Sequence, residues 1–392
     1  MSFLQQSINS ESADVVVIHE TNGRKYLEAL VSLQNEGAIK SVRFVGASVV
    51  WKFFHSIFRE RKKFRAAIQA SIENLSFRLT FWKLRNKTVI LCVAPWDYRF
   101  LLYGFLRRNN RLIYNTSWPY WTGSRVPRKL GPFTSLLRRR WLQILSDPRV
   151  EITAVVSAGA DSISSAANLK RPPTIISHTI SDAFFKKQAR YSKPLRLLFV
   201  GELSEKKGIE QLPKMLDDLS DLSVAIDIVG DGPLRATAMQ IAQRPNCRWH
   251  GQVADRSKLV EIAANCQIMI SPASSTDRWE ELFGMAILES MALGLVCIVT
   301  DHVGPRSIIR SETDGILVPE KAEAIMTSHI RRLHDDPEWW QAISQNALAT
   351  ASKYSLHAIA SRWNQLLSGI PAEGTHPLAE QGTSTTKMLV SA

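Results

Sequence analysis

Short runs that are apolar at nearly every position alternate along this chain with longer segments of helical periodicity. Asp14–His19 (DVVVIH) is followed by Lys25–Leu33, Ser41–Val45 by a basic segment, and Thr88–Val93 by Arg99–Arg107. Arg111–Tyr114 and Ile152–Ser157 continue the series. A strand that is apolar on successive residues has both faces covered, which is the condition of a parallel sheet flanked by helices; an antiparallel sandwich with one wet face would alternate. The pattern therefore predicts an α/β fold. After the polar segment Gln188–Pro194 a second series opens, with Leu195–Val200, Val224–Val229, Ile268–Ile270 and Val296–Thr300. Two doubly wound, Rossmann-like domains divided near residue 190 account for this better than one large sheet.

Length agrees, since 392 residues suit two units at roughly 150 residues each. The expected divisions are 1–190, 191–352, a C-terminal helix within 353–369 that is free to pack back on the first domain, and a disordered tail at 370–392, where apolar periodicity stops. No repeat of fixed solenoid period is visible.

A composition of 45% hydrophobic and 22% charged residues is that of a packed globular protein. No apolar run approaches the ~20 residues of a membrane span, and the N-terminus lacks the pattern of a secretion signal. A cytoplasmic location is expected, with peripheral attachment to the inner face of the membrane as an option. Cys92, Cys247, Cys266 and Cys297 are scattered without CxxC or ligand spacing, so reduced thiols are expected, with neither a disulfide framework nor a metal site.

Charge changes the picture by its distribution. The net +13 conceals 30 Lys+Arg against 12 Asp+Glu in residues 1–190, with the remainder of the chain slightly acidic. Such an excess implies an anionic partner. The densest stretch, Trp51–Arg65, interleaves aromatics with cations, which suits either a helix in an anionic membrane interface or a surface helix packed on its own domain. Arg138–Arg140 followed by Trp141 carries the same two readings. No helix-turn-helix, zinc-finger or RNA-recognition pattern accompanies these patches, so no nucleic-acid partner is expected.

The chemistry concentrates in Glu281-Leu-Phe-Gly-Met-Ala-Ile-Leu-Glu289. On one helix, carboxylates eight apart would lie ~12 Å apart along the axis and ~80° apart around it. They cannot form an acid pair, but they can grip two parts of one extended ligand, unless they are only the acidic face of an ordinary helix. Gly284 allows close backbone approach, and a helix starting there aims free N–H groups at an anion. Upstream, Gly201-Glu-Leu-Ser-Glu-Lys-Lys207-Gly208 ends a strand in a loop that can bring Lys207 to a phosphate. Gly230-Asp-Gly-Pro233 and Asp301-His-Val-Gly304-Pro close further strands.

Taken in order, Leu195 to Pro319 resembles the C-terminal half of the family 4 glycosyltransferases, the retaining group 1 enzymes of GT-B fold, and Tyr354–Trp363 resembles their terminal helix. The resemblance implies two Rossmann-like domains facing across a cleft. It implies that Glu281 holds donor sugar hydroxyls, Glu289 ribose hydroxyls and Lys207 the diphosphate, with Glu281 and Lys207 acting in catalysis. It also implies that backbone at Phe283, Gly284 and Met285 faces sugar and phosphate, and that Gly201 belongs to the donor site. Glu202 stands where the family usually has Arg, and Arg278 or Arg306 is the candidate replacement cation.

The first half resembles the family only in outline. Gly23 matches one glycine of the family's loop over the diphosphate, and Arg24 and Lys25 suit phosphate by charge. Where the family often has a histidine, this chain reads Asn115-Thr-Ser-Trp118-Pro-Tyr120-Trp121; Trp118, Tyr120 and Trp121 are candidates for stacking on an acceptor, with core packing the alternative. Asp97 is a further polar candidate or a helix cap.

The expected activity is retaining, metal-independent transfer of a hexosyl-type group from a nucleotide sugar to a glycan or lipid-linked acceptor, in cell-envelope polysaccharide or glycolipid synthesis. The nucleotide-diphosphate sugar would be a co-substrate, with no other cofactor. The absence of a DxD motif underlies the expectation of no metal. A non-catalytic scaffold of the same fold, or a nucleotide-sugar epimerase, are the rival readings.

Overall fold

A computed structural model describes residues 13–20, 23–46, 75–122, 134–277 and 279–369. The basic segment Trp51–Arg65, Arg278 and the tail at 370–392 lie outside the described residues.

Among the described residues, two six-stranded sheets organise the chain. The first has the order β2-β1-β3-β4-β5-β6, formed by β1 (Asp14–His19), β2 (Ser41–Gly46), β3 (Thr88–Cys92), β4 (Arg111–Thr116), β5 (Val150–Ala154) and β6 (Thr174–Ile175). The second has the order β12-β11-β10-β7-β8-β9, from β7 (Leu195–Val200), β8 (Val224–Val229), β9 (Arg248–Trp249), β10 (Ile268–Ser271), β11 (Val296–Thr300) and β12 (Ile316–Val318). Every pairing is parallel, with Val17 opposite Ile90 in the first sheet and Leu197 opposite Ile226 in the second.

The continuous apolar runs are explained by the two faces of the first sheet. Val15, Val17, Ile90 and Ile113 enter one core, while Val16, Ile18, Val89, Leu91 and Leu112 enter the other. Successive side chains of a strand point to opposite sides, so each strand must be apolar throughout. The second of these cores is rich in aromatics: Trp141 stacks on Phe100 at 3.8 Å between centroids and meets Tyr114 edge-on at 5.5 Å.

The other core contains residues from the far end of the chain. Ile359, Ala360, Trp363 and Leu367 of the Leu356–Leu367 helix pack with Leu30 and Leu33 of the Glu28–Asn35 helix. Ser355 caps this C-terminal helix by accepting a hydrogen bond from the Ala358 N–H. At its other end Arg111 of β4 donates to the carbonyls of Leu366 and Leu367 at 2.6 and 2.7 Å while also gripping Glu151. A cation on the last-turn carbonyls satisfies groups that the helix itself cannot.

Strand order reverses between β1 and β3 in the first sheet, and between β7 and β10 in the second. Crevices outside the carboxyl ends of strands at such reversals are where open α/β sheets hold ligands.

Candidate functional site

A cleft of about 930 Å³ lies between the carboxyl ends of the two sheets. From the first sheet it is lined by Glu20 and Gly23 after β1, by Val93–Pro95 after β3, and by Asn115–Trp118 and Tyr120 at the end of β4. From the second it is lined by Val200–Glu202 and Lys207 after β7, by Ser271 of β10, and by the loop and helix start from Trp279 to Ile287, with Glu289 beyond.

Lys207 and Glu281 form an ion pair inside this cleft. Lys207 is carried by the loop after β7, whose turn closes at Gly208 with φ +74; a β-carbon there would fall 2.0 Å from the Pro272 carbonyl oxygen. The Lys207 Nζ also sits 4.9 Å from the centre of the Trp279 ring, which holds the ammonium between an aromatic face and a carboxylate.

Glu281 is not on the helix with Glu289, contrary to the spacing argument. That helix spans Met285–Ala292, and its N-cap, Gly284, has φ +99, a left-handed conformation that separates the preceding loop from the helix. The ~12 Å helical offset therefore does not describe the pair. Glu281 is fixed instead by its backbone: its N–H points to His302 Nδ1 at 3.5 Å, and its carbonyl accepts from the Gly304 N–H at 3.0 Å. His302 is buried and its Nε2 lies 2.9 Å from Glu320. The buried ring thus bridges the Glu281 backbone, through Nδ1, to the Glu320 carboxylate, through Nε2.

Glu289 is in a different state. It has no hydrogen-bond partner among the described residues, and burial pushes its carboxyl pKa up, with Lys25 and Arg256 opposing. A desolvated carboxylate without a partner is a costly group for a fold to keep. The first-turn N–H groups of the Met285–Ala292 helix begin at the same cleft wall.

Replacing Gly284 by Ala would force a β-carbon into a left-handed position 2.8 Å from Ile287 Cδ1. The expected result is a loss of about 1–3 kcal/mol of stability, read as a lowered melting temperature. An unchanged melting curve would refute the local geometry.

Other candidates separate by position. Phe283, Met285, Gly201 and Gly23 all line the cleft. Gly23 is buried against His19, whose ring a β-carbon would meet at 2.4 Å, and its N–H donates to His19 Nδ1. Lys25 lines the cleft and Arg24 does not. Glu202 lines it too, but turns to Lys206 at 2.6 Å, so this position neutralises a cation instead of supplying one. Arg306 is engaged by Asp301 at 2.6 and 2.8 Å outside the cleft.

Of the three aromatics, Trp118 and Tyr120 line the cleft, edge to face at 5.6 Å. Trp121 does not. It is 2% exposed, packed against Trp96 and Tyr114 at 5.2 and 5.9 Å, with its indole N–H donated to the Trp118 carbonyl. The chain bends at Trp121 and carries its side chain into the core, so it has no face to offer a ligand. Asp97 is likewise withdrawn: its carboxylate accepts from the Arg99 backbone N–H at 2.9 Å at the start of the Arg99–Tyr103 helix. Burial pushes its carboxyl up, but Arg99 outweighs this and holds it below the usual carboxylate range.

Four cleft residues escaped the sequence reading. Glu20 pairs with Arg99 and accepts from the Ala94 N–H. Trp279 roofs Lys207. Glu280 accepts from the Val303 N–H at 3.0 Å and from the Tyr120 hydroxyl, a bond that crosses between the two sheets' sides of the cleft. His178 follows β6 and lies between the rings of Tyr26 and Phe283, at 4.7 and 4.9 Å. Burial pushes its imidazole down to about 4, so it faces the cleft as a neutral donor and acceptor at pH 7. Its signal was hidden because the strand before it has only two residues.

Residues 180–350 match the family model described as "Glycosyl transferases group 1". An alpha-D-kanosaminyltransferase of Streptomyces kanamyceticus is 28% identical over 168 residues, covering 41% of this chain and 42% of that protein. An N,N'-diacetylbacillosaminyl-diphospho-undecaprenol alpha-1,3-N-acetylgalactosaminyltransferase of Campylobacter jejuni is 24% identical over 201 residues, 51% of each chain. The matched stretch thus spans about half or less of these relatives. Among solved structures, Anabaena HepE in complex with UDP superposes with a TM-score of 0.62 at 14% identity, covering 91% of this chain and 100% of that one. The fold of the described residues is GT-B.

Proposed function

We propose that the protein, whose residues 180–350 match the group 1 glycosyl transferase model, is a retaining glycosyltransferase. It moves a sugar from a nucleotide-diphosphate donor to a glycan or lipid-linked acceptor, in envelope polysaccharide or glycolipid synthesis. The observation that carries this reading is the meeting, in one cleft, of a carboxylate–lysine couple with a second carboxylate, Glu289, half-buried on the helix that follows and without a hydrogen-bond partner among the described residues.

A nucleotide sugar exchanges these contacts for better ones. Its diphosphate takes Lys207 and the N–H groups at the head of the Met285–Ala292 helix, where a positive dipole end favours developing charge on the leaving group. Lys207 releases Glu281, which then accepts from sugar hydroxyls. Glu289 accepts from the ribose hydroxyls and so gains the partners it lacks. The acceptor enters from the Trp118 and Tyr120 side, and attack occurs on the face that the diphosphate leaves. Closing the cleft around both substrates excludes water that would hydrolyse the donor. The UDP bound by HepE supports a nucleotide-linked donor, and the name of the undecaprenol-linked relative supports a lipid-linked acceptor. The cationic excess of residues 1–190 favours an anionic acceptor or membrane surface.

Thermal stabilisation by a panel of UDP-, GDP- and dTDP-sugars tests the donor site. A ligand present at about 100 times its Kd should add about 2.7 kcal/mol of stability. Failure of every nucleotide sugar and every free nucleoside diphosphate to raise the melting temperature would overturn the reading. Binding without any transfer or donor hydrolysis would favour the scaffold alternative.

A further inference from the structure

The first domain carries a second concavity of about 300 Å³ at the opposite end of its strands from the cleft. Two helical segments wall it. Residues 75–80 run into the Phe81–Lys83 turn, and the Arg99–Tyr103 helix runs into Gly104–Arg108. Their inner faces are ordinary core: Phe77, Phe100 and Tyr103 are buried, and Phe81 meets Tyr103 edge-on at 5.4 Å.

Their outer faces should then be polar, and they are not. Leu75, Leu79 and Trp82 are 53%, 60% and 55% exposed, and Tyr98, Leu102 and Phe105 are 68%, 53% and 55% exposed. Each set has the spacing i, i+4, i+7, so each helical segment presents a second apolar stripe to solvent, and Trp82, Leu102 and Phe105 meet at the groove. Exposed apolar side chains gathered at a groove mark an interaction site.

Charge selects the partner. Between Leu75 and Asn110 the sequence has seven Lys and Arg and one acidic residue, Asp97, which is buried. Lys83, Arg85 and Arg108 rim the stripes, exposed and without a carboxylate partner among the described residues. A second copy docked about a two-fold axis would set these cations against themselves. Residues 47–74, with six basic and two acidic side chains, would meet the same repulsion. An anionic lipid surface meets none: tryptophan, phenylalanine and leucine enter the headgroup boundary while lysine and arginine bind phosphates.

We propose that the paired stripes Leu75/Leu79/Trp82 and Tyr98/Leu102/Phe105, with their cationic rim, form a docking face for an anionic membrane surface. This does not depend on the glycosyl-transfer reading. It does favour an acceptor held at the membrane, because the second stripe climbs from the groove to Tyr98, three residues beyond Pro95 of the cleft wall.

The test is sedimentation of the full chain with phosphatidylcholine vesicles, with and without phosphatidylglycerol. Two double variants leave residues 51–65 intact: Trp82→Ser with Phe105→Ser, and Lys83→Glu with Arg108→Glu. All four side chains are exposed, and matching melting curves verify the fold. Wild type should partition to the anionic vesicles in a salt-sensitive way, and each variant should lose at least about tenfold in partitioning. No binding to anionic vesicles, or binding that neither variant weakens, would overturn the proposal. So would a dimer in solution that the apolar variant dissolves, since the occupant would then be a second copy.

Discussion

Glu281→Gln is expected to lower kcat/KM for sugar transfer by about two to three orders of magnitude, the range seen when one group aimed at transition-state charge is removed. Gln fills the same space and keeps the backbone bonds to His302 and Gly304, so the fold should survive. The informative part is what happens to nucleotide binding. Glu281 neutralises Lys207 when no donor is bound, and a diphosphate must compete with it for the ammonium. Gln cannot compete as a charge, so affinity for the free nucleoside diphosphate should hold or tighten while transfer collapses. Steady-state kinetics alongside calorimetric titration of the nucleotide would read both. Transfer at the wild-type rate would remove Glu281 from the mechanism. Nucleotide affinity that fell with the rate would mean that the Lys207 pair positions the lysine for phosphate.

For Glu289→Gln the two readouts should move in opposite directions. Burial raises the Glu289 pKa in the folded chain. A group raised in this way stabilises the fold below its unfolded pKa and loses that contribution as pH rises through the folded one. At neutral pH the ionised carboxylate is therefore a burden, and removing the charge should raise the melting temperature of the ligand-free protein. The gain over wild type should shrink as the buffer is acidified into the carboxylate range. Donor binding should weaken by about 10- to 100-fold, the usual worth of hydrogen bonds to a charged acceptor. The probe is the nucleotide sugar that stabilises wild type most. A variant less stable than wild type at neutral pH, or one that binds donor equally well, would show that Glu289 serves the fold and not the ligand.

Much of the architecture was legible because burial on both sheet faces writes itself into the sequence. Asp14–His19, Leu195–Val200, Val224–Val229 and Val296–Thr300 are strands with the bounds that their apolar runs predict. Strands of two residues, Thr174–Ile175 and Arg248–Trp249, have too few side chains to show a pattern, and His178 was lost with the first of them. Ile152–Ser157 was read too far forward because Val155 and Val156 are buried beyond the strand, where the chain turns into the Ser157–Ala167 helix. At the candidate site, residue type was readable and geometry was not. A period-based argument put Glu281 on the same helix as Glu289, since a left-handed glycine looks like any other glycine in a one-letter string. Trp118, Tyr120 and Trp121 are equivalent by composition, and only the path of the turn decides that two face the cleft and one the interior.

The return of the Leu356–Leu367 helix to the first sheet has a consequence for how this molecule comes apart. A fragment ended near residue 190 would expose the leucines that Ile359 and Trp363 cover, and would strand Arg111 without two of its carbonyl acceptors. The amino-terminal lobe is thus finished by a helix that leaves the ribosome only after every strand of the second sheet. It cannot mature during synthesis ahead of its neighbour, and separate expression of the two lobes should yield a sticky first piece that recovers only when the missing helix is grafted back.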